Sequence, residues 1–115
     1  METVSKGGIG MNSFDHYQTQ AMVFRKPTAD NVYAVLGLCE EAGEVAGKFA
    51  KWRRDGTDVS VLKSDVVKEL GDCIWMIAAI ATDLNVNLGD IATANLNKLS
   101  QRLAKGTISG AGDER

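Results

Sequence analysis

Two pairs of acids share one spacing. Glu41 and Glu44 are three residues apart, as are Glu69 and Asp72; at ~100° per helical residue each pair lies roughly 60° apart on one face. The residues between them also correspond: Glu41-Ala42-Gly43-Glu44 and Glu69-Leu70-Gly71-Asp72 both read Glu, apolar, Gly, acid. A glycine inside a helix costs about 0.5–1 kcal/mol relative to alanine, so two at matching positions point to close approach of a helix or a ligand. If the two segments pack as an antiparallel hairpin, the four carboxylates converge. Such a group repels itself unless a cation neutralises it. The donors are all oxygens, which suits Mg²⁺, with Mn²⁺ as a substitute. The single histidine, His16, is far from both pairs in sequence, so the Glu-x-x-His ligands of di-iron bundles cannot be assembled. Glu40 is about 170° from the apolar seam of its helix and Glu41 about 70°, which leaves Glu40 a supporting role.

Helices must position these acids. One proline in 115 residues and apolar residues recurring every three or four positions predict an all-α, four-helix, bundle-like fold. The first helix runs from the cap Ser13 through Phe24 and stops before Pro27. The second spans about Asp30 to Arg54, ended by Asp55-Gly56, and the third about Ser64 to Leu84. The fourth opens at Asn87, where Asn87-x-x-Asp90 resembles a capping box, and closes near Lys105. Val35, Leu38, Ala42, Val45, Phe49 and Trp52 form an a/d seam on the second helix; Val66, Leu70, Cys73, Ile77, Ile80 and Leu84 form one on the third. From Cys73 to Ala81 the third helix is apolar all round, which predicts burial from both flanks in an oligomer, a dimer or tetramer. Phe49 and Met76 are read as packing residues and Trp75 as core or subunit interface.

The length fits one domain. Its expected divisions are a flexible tail over 1–12, the helical catalytic domain over 13–105, and a Gly-rich tail over 106–115. A hydrophobic share of 44% and a charged share of 24% describe a folding globular chain rather than a disordered one. The formal charge of −2 disfavours bulk nucleic-acid binding. The longest apolar run, Cys73 to Ala81, is far short of the ~20 residues of a membrane span. The first ten residues lack the apolar stretch of a secretory signal. Cys39 and Cys73 have no metal-ligand spacing and are read as buried reduced thiols, which with the rest predicts a cytoplasmic location.

Read together, these residues resemble the MazG-like all-α nucleoside triphosphate pyrophosphohydrolases, whose signature is EExxE, a gap, then ExxD. Here it is Glu40-Glu41-Ala42-Gly43-Glu44, then 24 residues, then Glu69-Leu70-Gly71-Asp72. Tyr17-Gln18, Leu36-Gly37-Leu38, Asp72-Cys73-Ile74-Trp75, the pattern Asn95-x-x-Lys98-Leu99-x-x-Arg102 and the ending Lys105 to Arg115 extend the likeness across the chain. The resemblance implies Mg²⁺-dependent cleavage of a (d)NTP between the α and β phosphates, releasing a monophosphate and pyrophosphate. It makes Glu41, Glu44, Glu69 and Asp72 the metal-ligating catalytic residues. Glu41 is the preferred base, with Glu40 acting through a water as the alternative.

On the fourth helix Asn95, Lys98, Arg102 and Lys105 form a polar, mostly basic stripe beside Leu96, Leu99 and Leu103. The resemblance implies that this region contacts the nucleotide, with Lys98 and Arg102 at phosphate and Asn95 at sugar or base. A solvated basic face near a helix C-terminus is the plain reading. Lys51 and Trp52 close the second helix; Trp52 either stacks on a base, as the resemblance implies, or completes the seam. Segment 106–115 either folds over bound phosphate through Arg115 or stays disordered. The competing class for the whole chain is a non-catalytic helical interaction module with solvated acidic faces.

Overall fold

The computed structural model describes residues 13–115. Four helices follow one another: α1 (Phe14–Met22), α2 (Asn31–Asp55), α3 (Val59–Asp83) and α4 (Leu88–Lys105). No strand occurs among the described residues, so the all-α expectation stands. The tail expected over 1–12 lies outside the described residues.

Each helix begins and ends for a local reason. Ser13 caps α1 by accepting from the His16 amide at 3.0 Å, and Asp30 caps α2 by accepting from Tyr33 at 3.0 Å. Beyond Met22 the amides of Val23, Phe24 and Arg25 bond three residues back, so the chain tightens into turns before Pro27. That shortens α1 by two residues relative to the expectation. α3 starts five residues earlier than expected, because Asp58, not Ser64, is its cap and accepts from Ser60 at 2.8 Å. Left-handed residues close the other ends. Gly56 at φ 63° returns its amide to Trp52, and Asn85 at φ 58° begins a turn in which the Val86 amide reaches the Ala81 carbonyl at 2.9 Å.

α2 and α3 form the antiparallel hairpin. Gly37 faces Met76 near one end and Lys48 faces Glu69 further along, so residue numbers rise on one helix as they fall on the other. The packed faces are rotated by about one residue from the predicted seams. On α2 the covered positions include Ala34, Gly37, Leu38, Glu41, Val45, Lys48 and Trp52; on α3 they include Leu62, Val66, Glu69, Cys73, Met76, Ala79 and Ile80, with Ala78 and Ala81 buried as well. Val35, Phe49, Leu70, Ile77 and Leu84 are exposed, which corrects their assignment to the seam and Phe49's assignment to packing. The reason is steric. A Cβ at Gly37 would lie 2.6 Å from Met76 Sδ, so glycine there admits the Met76 side chain, whose burial stabilises the hairpin by about 1.5–3 kcal/mol. Gly43 and Gly71, expected to mark a close approach, have nothing within 4 Å of an added Cβ. Cys39 is exposed and Cys73 half-buried, both free thiols, so burial does not describe Cys39.

α1 lies across α3 and carries the start of α4. Arg25 forms a two-pronged ion pair with Asp83 at 2.8 and 2.9 Å, and Trp75 Nε1 donates to the Ala21 carbonyl at 3.0 Å. The buried Gln18 donates to Thr82 Oγ1 and the Val86 carbonyl and accepts from the Leu88 amide at 2.7 Å. Asp15 accepts from the Gly89 amide at 2.7 Å. The capping box expected at Asn87 is absent, since its side chain makes no cap bond. α1 satisfies two of the orphan amides of α4 instead.

Candidate active site

The rotation of the seams brings the acids into the hairpin. Glu41 from the middle of α2, and Glu69 and Asp72 from α3, each place one carboxylate oxygen within 4.8 Å of the others. Glu44, the fourth expected member, is exposed one turn beyond Glu41 and outside this trio. Glu41 Oε2 is buried and has no hydrogen-bond partner among the described residues. Burial pushes the Glu41 carboxyl above its ordinary range, and the charges of Asp72, Glu69, Glu40 and Glu44 push it the same way. The Cys73 thiol is raised by burial and then by Glu41, Asp72 and Glu69.

A cluster so arranged opposes its own ionisation, and a hard divalent cation reverses that sign. The residues fit such an ion on two observations: the donor set is oxygen only, and one buried oxygen lacks a partner. No histidine belongs to the trio.

One cation already touches the cluster. Lys48 Nζ is 3.7 Å from Glu69 Oε2, a residue that the motif alone does not single out. The signal was present, since Lys48 is seven residues after Glu41 and so returns to the same helical face. Lys48 also lines a cleft of about 230 Å³ together with Lys51, Trp52, Asp55, Thr57, Val61, Leu62 and Asp65. Glu41, Glu69 and Asp72 do not line this cleft, and Lys48 is the residue that links it to them. Trp52 is half-buried in its wall, with Nε1 buried and unpartnered. Tyr17 of α1 is a second neighbour that spacing could not reveal. Its phenol is raised by burial first and by Asp72 second.

The basic stripe of α4 has other partners. Lys98 and Arg102 bond to Asp113, and Asn95 is exposed. None of the polar contacts of Lys98 or Arg102 is with Glu41, Glu44, Glu69 or Asp72.

The chain matches a family model described as the MazG nucleotide pyrophosphohydrolase domain over residues 32–106, a span that contains both acid pairs and all of α4. It is similar to "Gene 37 protein" of Mycobacterium phage L5, at 42% identity over 85 residues covering 72% of this chain and 75% of the phage protein. No solved structure gives a significant match.

Proposed function

The chain belongs to the MazG nucleotide pyrophosphohydrolase domain family, and on that premise we propose that it hydrolyses a nucleoside triphosphate between the α and β phosphates in a Mg²⁺-dependent reaction. Water adds to the α-phosphorus, the bond to the αβ-bridging oxygen breaks, and the products are a nucleoside monophosphate and pyrophosphate. The observation that carries this reading is the convergence of Glu41, Glu69 and Asp72 around a buried, unpartnered carboxylate oxygen.

Glu41, Glu69 and Asp72 would hold the metal, with Glu44 joining from the next turn of α2. Bound there, the ion neutralises charge on the phosphates and makes the attacking water more acidic. Glu41 is our choice for the group that takes the water's proton, because its Oε2 has no hydrogen-bond partner among the described residues. Glu40 sits beside it on the exposed side and acts, if at all, through a water.

Lys51 and Trp52 line the cleft that Lys48 shares, and we assign them to the nucleoside or its phosphates. Lys98 and Arg102 are assigned to phosphate and Asn95 to sugar or base. Val35, Phe49, Leu70 and Ile77 leave an apolar surface along the hairpin, which self-association as a dimer or tetramer would cover. No helix among the described residues is long and apolar enough to cross a membrane; the proposed setting is the cytoplasmic nucleotide pool.

The test is chromatography of a (d)NTP panel after incubation with the protein in Mg²⁺ or in EDTA. We expect metal-dependent monophosphate and pyrophosphate, with no diphosphate. Glu69→Gln should lower turnover by about a hundredfold or more, as loss of groups that hold a metal does, with its helical circular dichroism unchanged. Undiminished turnover in that variant would remove Glu69 from the site. No turnover of any nucleotide by folded, Mg²⁺-loaded protein would favour an interaction module.

A further inference from the structure

The cations of α4 are already engaged by an anion of their own chain. Lys98 Nζ and Arg102 Nη2 both reach Asp113 Oδ1 at 3.2 Å, and Arg102 Nη2 also donates to the Asp113 carbonyl at 2.9 Å. The return of the chain is built in. Gly106 at φ 72° turns it, with its amide on the Leu103 carbonyl at 3.2 Å and the Thr107 amide on the Arg102 carbonyl at 2.8 Å. Arg115 then closes segment 107–115 by donating to the carbonyls of Thr107, Ile108 and Gly112.

The two sides of this contact are unequal. The Arg102 side chain is 6% exposed and its Nε is buried with no partner, whereas the Asp113 side chain is 80% exposed. A guanidinium fork with one prong bonded and one donor open is half-used. A single carboxylate oxygen bridges two cations that α4 holds one turn apart. A polyphosphate carries more charge and more oxygens, enough to serve Lys98 and the open Nε of Arg102 together.

We propose that Asp113 is a tethered competitor for the phosphates of the substrate: its carboxylate occupies the Lys98–Arg102 pair in the free protein, and a polyphosphate binds there by displacing segment 107–115. This rests on the assignment of Lys98 and Arg102 to phosphate made above. The Asp113 side of the contact is open to solvent and screened by it, so the clasp is displaceable. Its tether keeps the carboxylate at high local concentration, so the clasp discriminates against anions that bind no better than one carboxylate.

The experiment is calorimetric titration of the full chain with inorganic pyrophosphate in EDTA, which separates this pair from any metal-dependent binding. Asp113→Asn should bind pyrophosphate about two- to fivefold more tightly than the unaltered protein, a range set by the weakness of exposed pairs. Arg115→Ala, which loosens the return without touching Asp113, should shift affinity in the same direction. Glu114→Gln makes the same change of charge one residue along and should leave affinity as it was. Lys98→Met added to Asp113→Asn should abolish the gain. Equal or weaker binding by Asp113→Asn would overturn the proposal, since Asp113 would then only hold the cations in place. So would an equal gain in Glu114→Gln, or a gain that survives Lys98→Met. Turnover is scored separately. A gain in a protein that hydrolyses no nucleotide sinks the enzymatic reading alone, and turnover without the gain sinks the clasp alone.

Discussion

The C-terminal end and the middle of α3 treat their polar groups in opposite ways. Toward Asp83, where α1 and α4 meet it, Gln18 has three bonded partners and the Arg25–Asp83 pair is bonded through both prongs. Toward Glu69, three acids face one another, Glu41 Oε2 is buried without a partner, and one lysine stands 3.7 Å away. The fold satisfies one buried glutamine fully at the first region and leaves a buried carboxylate oxygen bare at the second, which is where the proposed metal site lies. The first region is a joint and the second a site, and each can be disturbed without the other.

The largest expected effect is on the joint. Gln18→Leu keeps the volume but removes the acceptor of the Leu88 amide and the donor to the Val86 carbonyl. Leaving such groups unpaired costs about 2–3 kcal/mol, which for a domain of this size lowers the melting temperature by roughly 10–20 °C. Thermal denaturation followed by circular dichroism checks it. A loss below about 1 kcal/mol would mean that water replaces Gln18 and that α1 and α4 are held mainly by the Arg25–Asp83 pair.

The next effect lies at the site and depends on pH. A Glu41 carboxyl with raised proton affinity in the fold binds its proton more tightly there than in the unfolded chain. Its contribution is therefore fully present below the unfolded pKa and is lost as pH rises through the higher folded one. Asp83 and Asp113 are lowered by their arginine partners and act with the opposite sign, so the difference between the unaltered protein and Glu41→Gln isolates the term. In EDTA that difference should grow in favour of Glu41→Gln as pH rises from about 4 through the raised pKa. Mg²⁺ should erase it, because an ion at a hundred times its dissociation constant stabilises the fold by about 2.7 kcal/mol and Glu41→Gln forfeits that gain. Parallel melting profiles with and without Mg²⁺ would reduce the cluster to a solvated acidic face.

The joint and the site were not equally legible in sequence. The acid pairs and the antiparallel hairpin follow from helical periodicity, and the structure places three of the four acids together. The seams were misplaced by about one residue because heptads were fitted to apolar side chains, whereas the packed faces include Glu41, Lys48 and Glu69. Two of those polar residues, Glu41 and Glu69, belong to the acid trio, and Lys48 pairs with it. The start of α3 was legible: Val59, Leu62 and Val66 are already spaced 3 and 4, with Asp58 as a capping residue type ahead of them. The joint was nearly invisible. Its bonds join residues more than fifty positions apart, and no local pattern tells Gln18 to replace the capping box of Asn87. Segment 107–115 has no period at all, and its fold rests on two left-handed glycines, Gly106 and Gly112, and two arginines.

The smallest effects separate glycines that pack from glycines that leave room. Gly43 and Gly71 lie in helix interiors with nothing within 4 Å of an added Cβ, so alanine at either should stabilise the metal-free protein by about 0.5–1 kcal/mol. At Gly37 the same change drives a Cβ to 2.6 Å from Met76 Sδ. Met76 must move from its packed position, which cancels the helical gain or reverses it. Urea denaturation of the three alanine variants resolves differences of this size when midpoints are compared at constant slope. Turnover then decides what the open space is for. If Gly43→Ala and Gly71→Ala stabilise the chain and also slow nucleotide hydrolysis or shift its oligomeric state, the matching glycines keep clear a surface that substrate or a second copy uses. If they stabilise it at no functional cost, the Glu-apolar-Gly-acid pattern carries chemistry in its acids alone.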